Sequence, residues 1–156
     1  MAKTTPATLA LDKAGVAYGL HTYAYDPDAP RVGLQAAESL GVAPERVLKT
    51  LMAEVDGKPV CAVLASDQEV AMKRLAAVFG GKSAQMMRPA DAERITGFKV
   101  GGVSPFGQKR RAPTVVDEAA LLHEKVFVNA GQRGLQAELA PGDLVAALGA
   151  KVAAIT

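Results

Sequence analysis

The sequence predicts an α/β fold, of the α+β kind, built around a mixed and strongly bent sheet. Short segments with strand character alternate with short helical segments along the whole chain. A hairpin turn is indicated at Asp56-Gly57, but regularly spaced strand–helix–strand units do not recur. The 156 residues contain no internal repeat, low-complexity tract or linker, so we expect one domain over residues 1–156.

Capping and turn residues delimit the elements of the first half. Thr5 before Pro6 predicts the start of a helix, and Gly15 predicts its end. The β-prone run from Tyr18 to Tyr25 predicts a strand in which His21, Tyr23 and Tyr25 share a face. The further elements expected here are a helix over 34–40, a strand over 46–55 and a strand over 59–65.

The second half continues the alternation. An amphipathic segment from Val70 to Phe79 precedes Gly80-Gly81, which predicts a helix and its end. Proline residues predict the starts of two more helices. The elements expected are a strand over 83–87, a helix over 89–97, a strand over 114–117, a helical turn over 118–122, strands over 125–129 and 135–139, and a helix over 141–149.

Composition and cysteine content indicate a soluble, cytoplasmic protein. No apolar run reaches the roughly 18 residues that span a bilayer, and the N-terminus lacks the apolar core of a secretory signal. The single Cys61 excludes an internal disulfide, and its nearly all-apolar strand predicts a core residue rather than a nucleophile. Because His21 and His123 stand alone, no metal site is expected.

The stretch from Gly101 to Gln108 contains three glycines and a proline, too many for a helix interior or an ordinary strand. Free backbone N–H groups and the side chains of Ser104 and Gln108 can hydrogen-bond a ligand there. Three cations, Lys109, Arg110 and Arg111, follow at once. The stretch indicates either a backbone cradle beside an anion-attracting patch, or a tight turn with a solvated charge run.

Charge is distributed unevenly along the chain. The basic segment, residues 72–111, holds nine cations and two anions, whereas the rest of the chain holds nine cations and fourteen anions. This pattern favours a phosphate-rich partner over cations scattered across several faces. The nine cations are Lys73, Arg74, Lys82, Arg88, Arg94, Lys99, Lys109, Arg110 and Arg111.

Lys49 is unusual in its strand. Strand alternation places it on the same face as the apolar residues Leu51, Ala53 and Val55. Such a lysine either extends to the edge of the sheet or supplies a cation at the mouth of a pocket, where it can hold a phosphate or polarise a carbonyl. The pattern alone leaves both interpretations open.

Three motifs taken together resemble one family. Lys49-Thr50 in a strand, the run from Gly101 to Lys109, and Gly134 to Leu139 with Asp143-Leu144 beyond resemble the YbaK family. These are free-standing Cys-tRNA(Pro) deacylases, similar to the editing domain inserted in bacterial prolyl-tRNA synthetases. The resemblance extends from about Thr5 to the C-terminus. It implies a mixed, β-barrel-like sheet surrounded by helices, and no metal or bound cofactor.

The resemblance also implies roles for individual residues. Lys49 falls on the essential lysine of the family, and the substrate thiol is expected to attack its own ester while the enzyme offers no nucleophile. The expected substrate-binding residues are Tyr23, Val32, Thr50, Gly101, Gly102, Ser104, Gln108, Asn129 and Gln136. The expected partner is the acceptor end of a mischarged tRNA, with prolyl-tRNA synthetase as a further partner and no membrane. The tRNA backbone is expected to contact Lys73, Arg74, Lys109, Arg110 and Arg111.

Two positions depart from the family pattern. Gln136 stands where the family usually has an acid, and Val32 stands where a pocket aromatic is expected. Both changes bear on selectivity for cysteine. The alternatives are therefore an enzyme that edits another mischarged tRNA, such as Ala-tRNA(Pro), or a non-catalytic module that binds tRNA or a synthetase.

Overall fold

The structure, a computed structural model, describes residues 4–30 and 34–156. Within these residues it combines five α-helices with two sheets, so the expected α+β class is confirmed. The elements are α1 (Pro6–Lys13), β1 (Gly19–Thr22), α2 (Gln35–Leu40), β2 (Leu48–Val55), β3 (Lys58–Ala65), α3 (Met72–Val78), β4 (Ala84–Met86), α4 (Pro89–Thr96), β5 (Thr114–Asp117), β6 (Val126–Asn129), β7 (Leu135–Leu139), α5 (Pro141–Leu148) and β8 (Lys151–Ala153), with 3-10 helices at Pro44–Arg46 and Glu118–Leu122.

The two sheets join at a single backbone bridge. Strands β1, β7 and β6 form an antiparallel sheet, and the order β4-β2-β3-β5-β8 forms a mixed sheet in which β5 pairs in parallel with both β3 and β8. Val47, directly before β2, bridges Phe127 of β6. Beyond this bridge β2 and β6 diverge, and the sheets do not close into a barrel within the described residues.

The β2–β3 hairpin forms the centre of the larger sheet. Asp56 and Gly57 both have positive φ, 49° and 82°, as the expected tight turn requires. The two faces of β2 enter different cores, as strand alternation predicts. Leu48 and Met52 pack in the core beneath α1 and α4, whereas Ala53 packs with α3 on the opposite face.

Two strands differ from the sequence prediction. Strand β1 ends at Thr22. The Tyr23 N–H makes one further backbone bond, to the Gly134 carbonyl, and the chain then leaves the sheet. Strand β8 (Lys151–Ala153) was not predicted. Its three residues carry too little pattern, and they become a strand by pairing in parallel with β5.

Helix α1 fastens the N-terminal part of the chain to the β6–β7 turn. The Thr5 side chain caps the helix by accepting a bond from the Thr8 N–H, and the Thr8 hydroxyl accepts a bond from the Thr5 N–H. The Thr5 hydroxyl also donates to the Ala130 carbonyl over 2.6 Å. With Leu11 fully buried, the helix lies firmly against the core.

The segment between α4 and β5 has no regular structure but is firmly held. The backbone N–H groups of Lys109 and Arg110 donate to the carbonyls of Thr96 and Ile95 at the end of α4. Phe106 is buried in the main core. Gly107 has a φ of 70° and crosses the first turn of α1 so closely that an added Cβ would meet the Pro6 carbonyl.

We expect Gly107→Ala to lower the free energy of unfolding by about 2–4 kcal/mol, because both its positive φ and its contact with Pro6 exclude a side chain. The matched control is Gly142→Ala in α5, where a Cβ meets nothing within 4 Å. There alanine is expected to stabilise by up to about 1 kcal/mol. Guanidinium unfolding of both variants checks this, and a loss below about 0.5 kcal/mol at Gly107 would contradict the close crossing.

Candidate active site

The candidate site is a cavity of about 320 Å³ beside the first half of β2. It is mostly apolar, and the thioethers of three methionines contribute to its wall. The lining residues are Tyr23, Tyr25, Ala36, Val47, Leu48, Lys49, Thr50, Leu51, Met52, Ser66, Met86, Met87, Pro89, Ala92, Val100, Gly101, Val103 and Gln136. Five of the residues predicted from the resemblance to surround a substrate therefore lie in one cavity: Tyr23, Lys49, Thr50, Gly101 and Gln136.

The cavity lies beside an edge of β2 that is only partly paired. On the edge of β2 opposite β3, Val47 bridges Phe127 and Ala53 pairs with Met86. Between these two points no strand of the described residues pairs with that edge. Within this interval the Met52 carbonyl accepts the Met87 backbone N–H.

The Lys49 ammonium is a half-buried cation without a direct partner. Burial lowers the pKa of Lys49, and the carboxylates of Asp67 and Glu69 oppose this shift from a distance. No hydrogen-bond acceptor or carboxylate within the described part of the chain contacts the ammonium directly. Because desolvation disfavours the charged form, an anionic ligand would relieve an existing penalty.

Two polar atoms in the cavity wall are buried and unpaired. The Thr50 hydroxyl and the Gln136 carbonyl oxygen have no hydrogen-bond partner within the described residues. Each such atom costs roughly 1–3 kcal/mol of desolvation. Unpaired buried groups in a native protein call for an explanation, and a ligand that reached these atoms would supply one.

Tyr23 lies beside Gln136. Burial raises the pKa of Tyr23, while hydrogen bonds from the Gln136 side chain and the Gly134 backbone oppose the shift. The phenol is therefore neutral at physiological pH.

The two adjacent glycines have different roles. Gly101 lines the cavity with a φ of 91°, and a Cβ there would lie 2.7 Å from the Tyr25 hydroxyl. Gly102 does not line the cavity. A Cβ on Gly102 would lie 2.8 Å from the Arg133 backbone nitrogen, so this glycine lets the loop pack on the β6–β7 turn.

Three other predicted substrate-binding residues face the protein instead of the cavity. The Asn129 oxygen accepts from the Gly131 and Gln132 N–H groups, and its amide donates to the carbonyls of Gly101 and Gln132. Ser104 is fully buried and accepts from the Phe106 N–H. Gln108 donates to the Ser104 carbonyl. In these positions each residue holds the loop through contacts within the protein, and its direct contact with substrate stays a prediction.

Val32 lies outside the described residues. The predicted tRNA-binding cations lie on separate elements of the fold. Lys73 and Arg74 lie on α3, Lys109 and Arg110 lie beside the end of α4, and Arg111 donates to Leu148 at the end of α5.

The sequence interpretation missed two residues at the cavity mouth. Tyr25 lines the cavity together with Tyr23, and their shared strand face was the available signal. Arg133 stacks over the Tyr25 ring at 5.3 Å, but nothing in its polar turn distinguished it from a surface cation.

Cys61 is a core residue, as predicted. It is fully buried, and burial raises the pKa of its thiol to about 12, while Gln108 and Thr114 oppose the shift. Across the described ranges no group of three His, Cys, Asp or Glu side chains is arranged to hold a metal ion. No helix there is both long and apolar enough to cross a bilayer.

The chain belongs to the aminoacyl-tRNA editing domain family, which matches residues 27–147. The class of protein is therefore that of the aminoacyl-tRNA deacylases, which remove an amino acid from tRNA.

Two bacterial relatives match most of the chain. A protein of Enterococcus faecalis named "Putative Cys-tRNA(Pro)/Cys-tRNA(Cys) deacylase EbsC" is 41% identical over 77% of this chain and 74% of its own length. The uncharacterised protein YwhH of Bacillus subtilis is 33% identical over 70% of each chain. A proline–tRNA ligase of Acidithiobacillus ferrooxidans is 30% identical over 58% of this chain, which corresponds to 16% of the ligase.

Solved structures share the fold over nearly the whole chain. The hypothetical protein APE2540 has a TM-score of 0.85 at 26% identity and covers 97% of this chain and 99% of its own. A structure described as "a putative trans-editing enzyme for prolyl tRNA synthetase" has a TM-score of 0.82 at 22% identity, with 99% of each chain covered.

We expect Cys61 to resist thiol reagents in the folded protein, because at pH 8 a thiol with a pKa of about 12 is only about one part in 10⁴ thiolate. Labelling with Ellman's reagent checks this. In guanidinium the same protein, with its single cysteine, should release one equivalent of chromophore. Equally rapid labelling of the native and denatured protein would contradict the burial of Cys61.

Proposed function

We propose that this protein is a free-standing deacylase that removes cysteine from mischarged Cys-tRNA(Pro). The observation that carries the proposal is the set of three unpaired polar groups in one apolar cavity: the Lys49 ammonium, the Thr50 hydroxyl and the Gln136 oxygen. The similarity to EbsC, whose name specifies both Cys-tRNA(Pro) and Cys-tRNA(Cys), supports the removal of cysteine from tRNA. The related segment in a proline–tRNA ligase fits an enzyme that acts in trans beside prolyl-tRNA synthetase in the cytoplasm.

The size of the cavity suits a small aminoacyl ester. A volume of about 320 Å³ lies at the low end of the roughly 300–1,000 Å³ typical of small-molecule sites. The methionine-lined wall can accommodate a compact thiol, and the polar groups can contact the ammonium and the ester. The tRNA itself remains outside the cavity, where the cations of the basic segment meet its phosphates without reading its sequence.

We propose substrate-assisted chemistry. The cysteinyl sulfur attacks the carbonyl carbon of its own ester, so a C–S bond forms as the C–O bond to the ribose breaks. The thiol proton passes to the departing ribose oxygen, and water then opens the cyclic thioester to free cysteine. Lys49 stabilises the oxygen that gains charge or holds the neighbouring phosphate, and Thr50 orients the ester.

Alanine is the second candidate substrate. None of the described lining residues carries a carboxylate, because Gln136 occupies the position of the family acid. A neutral amide accepts a bond from the substrate ammonium but adds no charge attraction. A cavity of this kind can also hold alanyl ester, whose hydrolysis would require water as the nucleophile because alanine has no thiol.

The first test compares hydrolysis of Cys-, Ala- and Pro-tRNA(Pro) by the wild-type protein and by Lys49→Ala. We expect the fastest turnover with Cys-tRNA(Pro), and a loss of at least about 100-fold in kcat/KM on substitution of Lys49. Because Lys49 has a lowered pKa in the fold, its ammonium destabilises the folded state at neutral pH. The substitution should therefore leave the free energy of unfolding at pH 7 unchanged or raised.

Lys151→Ala, on the outer strand β8, is the matched control and should retain full activity. Equal turnover by wild type and Lys49→Ala would remove Lys49 from the mechanism. If the wild-type protein hydrolyses none of the three substrates, the chain is a binding module. Preference for Ala-tRNA(Pro) would select the second candidate.

Thr50→Val is expected to raise the stability of the protein and to lower its activity. Removing a buried, unpaired hydroxyl should raise the free energy of unfolding by about 0.5–1 kcal/mol, while loss of its bond to substrate should lower kcat/KM about tenfold. The matched control is Thr114→Val, because the Thr114 hydroxyl already donates to the Ala112 carbonyl. This control should lose stability and keep its activity; the same pattern at Thr50 would contradict a role in binding substrate.

A further inference from the structure

Arg133 is a cation that the fold holds at the rim of the cavity. It lies in the turn between β6 and β7, is exposed, and does not line the cavity itself. Its guanidinium carbon stands 5.3 Å from the centre of the Tyr25 ring, and its Nε donates to the Val100 carbonyl over 2.9 Å. Tyr25 and Val100 are both cavity-lining residues, so the guanidinium is placed directly at the mouth.

Several contacts fix the orientation of this side chain. Gly101 allows the packing, because a Cβ there would lie 2.7 Å from the Tyr25 hydroxyl and 3.3 Å from the Arg133 Nε. Gly102 lies against the Arg133 backbone, and Asn129 binds both the turn and the Gly101 carbonyl. A guanidinium held in this way loses little further rotamer freedom when it binds a ligand.

The charge of Arg133 is not neutralised within the described residues. Each ion pair found there uses other residues, and the only polar contact of the guanidinium is the Nε bond to Val100. Glu93 approaches the same loop, but its carboxylate accepts the Val100 N–H. The two Nη groups of Arg133 therefore remain free to form a paired, bidentate contact with an anion.

We propose that Arg133 forms a subsite for a backbone phosphate of the tRNA acceptor end, next to the aminoacylated ribose. The proposal rests on the proposed deacylase function, because that function places the ester inside the cavity and the nucleotide chain at its mouth. A phosphodiester matches the fork of Nη donors in shape and charge. Lys49 acts from the β2 wall, so the two cations contact the substrate from different sides of the mouth.

Arg133 could instead act only as a structural tie between the turn and Val100. The two roles predict different effects of an Arg133 substitution on the hydrolysis of a substrate without phosphates. A structural tie affects every substrate equally, because it shapes the cavity. A phosphate subsite affects only substrates that carry the phosphate.

The experiment compares Arg133→Gln with wild type on Cys-tRNA(Pro) and on 3′-cysteinyl adenosine, which has no phosphate. We expect kcat/KM on Cys-tRNA(Pro) to fall about tenfold or more, mainly through KM, and to stay within about twofold on the nucleoside. Arg133→Lys should recover part of the loss by keeping the charge. Lys151→Gln, the same charge change on β8, should behave as wild type on both substrates.

The salt dependence of kcat/KM gives a second measurement, which is made with the tRNA substrate only. For Arg133→Gln the slope of log kcat/KM against log salt should become shallower by about one. An equal loss on both substrates, or an unchanged slope, would overturn the phosphate subsite and leave a structural tie. If the wild-type protein hydrolyses no charged tRNA, the proposed deacylase function is wrong. The salt dependence of tRNA binding, compared between wild type and Arg133→Gln, then still tests the phosphate subsite.

Discussion

The geometry of the site depends on the hydrogen bonds of one buried amide, that of Asn129. Its oxygen accepts from Gly131 and Gln132, and its nitrogen donates to the carbonyls of Gly101 and Gln132. These bonds fix the β6–β7 turn and join it to the glycine-rich loop. Asn129 also pairs across the strands with Gln136, so one residue sets the relative positions of the loop, the turn and the cavity wall.

This arrangement holds the loop and the turn through hydrogen bonds, but it leaves polar atoms in the cavity wall without partners. Polar groups of the loop and the turn form hydrogen bonds with one another, whereas Thr50 and Gln136 keep buried oxygen atoms without partners. Lys49 likewise keeps a desolvated charge. Such groups reduce the stability of the free protein, and a ligand that satisfies them gains the corresponding interaction. The polar groups of the loop and turn are hydrogen-bonded, whereas those of the cavity wall are not. This contrast supports a binding role for the cavity.

Local signals made much of the fold and part of the site predictable. Asp56-Gly57 fixed the hairpin, and alternation in β2 correctly separated the face with Met52 from the face with Ala53. Thr50 was expected only from the family resemblance, whereas Lys49 was recognisable because a charge interrupts an apolar strand face. Such signals need only neighbours in sequence, which explains why they could be found without a structure.

The remaining features arise from contacts between distant parts of the chain. Gly102 suggested a substrate cradle, but the structure shows it packed on Arg133 of another turn. Gln108 looked like a ligand-binding group, yet its side chain turns inward to the Ser104 carbonyl. The stacking of Arg133 on Tyr25 likewise depends on how β1 leaves the sheet. Composition records that these residues are polar or small, and only tertiary packing decides what they face.

Among the described residues, neither a cysteine nor a histidine lines the cavity, which is consistent with an activated substrate. The only cysteine is buried with a pKa of about 12, and no histidine lines the cavity in the described part of the chain. Ser66 lines it, but the serine hydroxyl donates to the Pro44 carbonyl and has no base beside it. An aminoacyl ester has a good leaving group, so positioning and charge stabilisation can supply much of the acceleration. If the substrate brings the nucleophile, selectivity comes partly from chemistry: an alanyl ester that fits the same cavity still lacks the thiol that attacks.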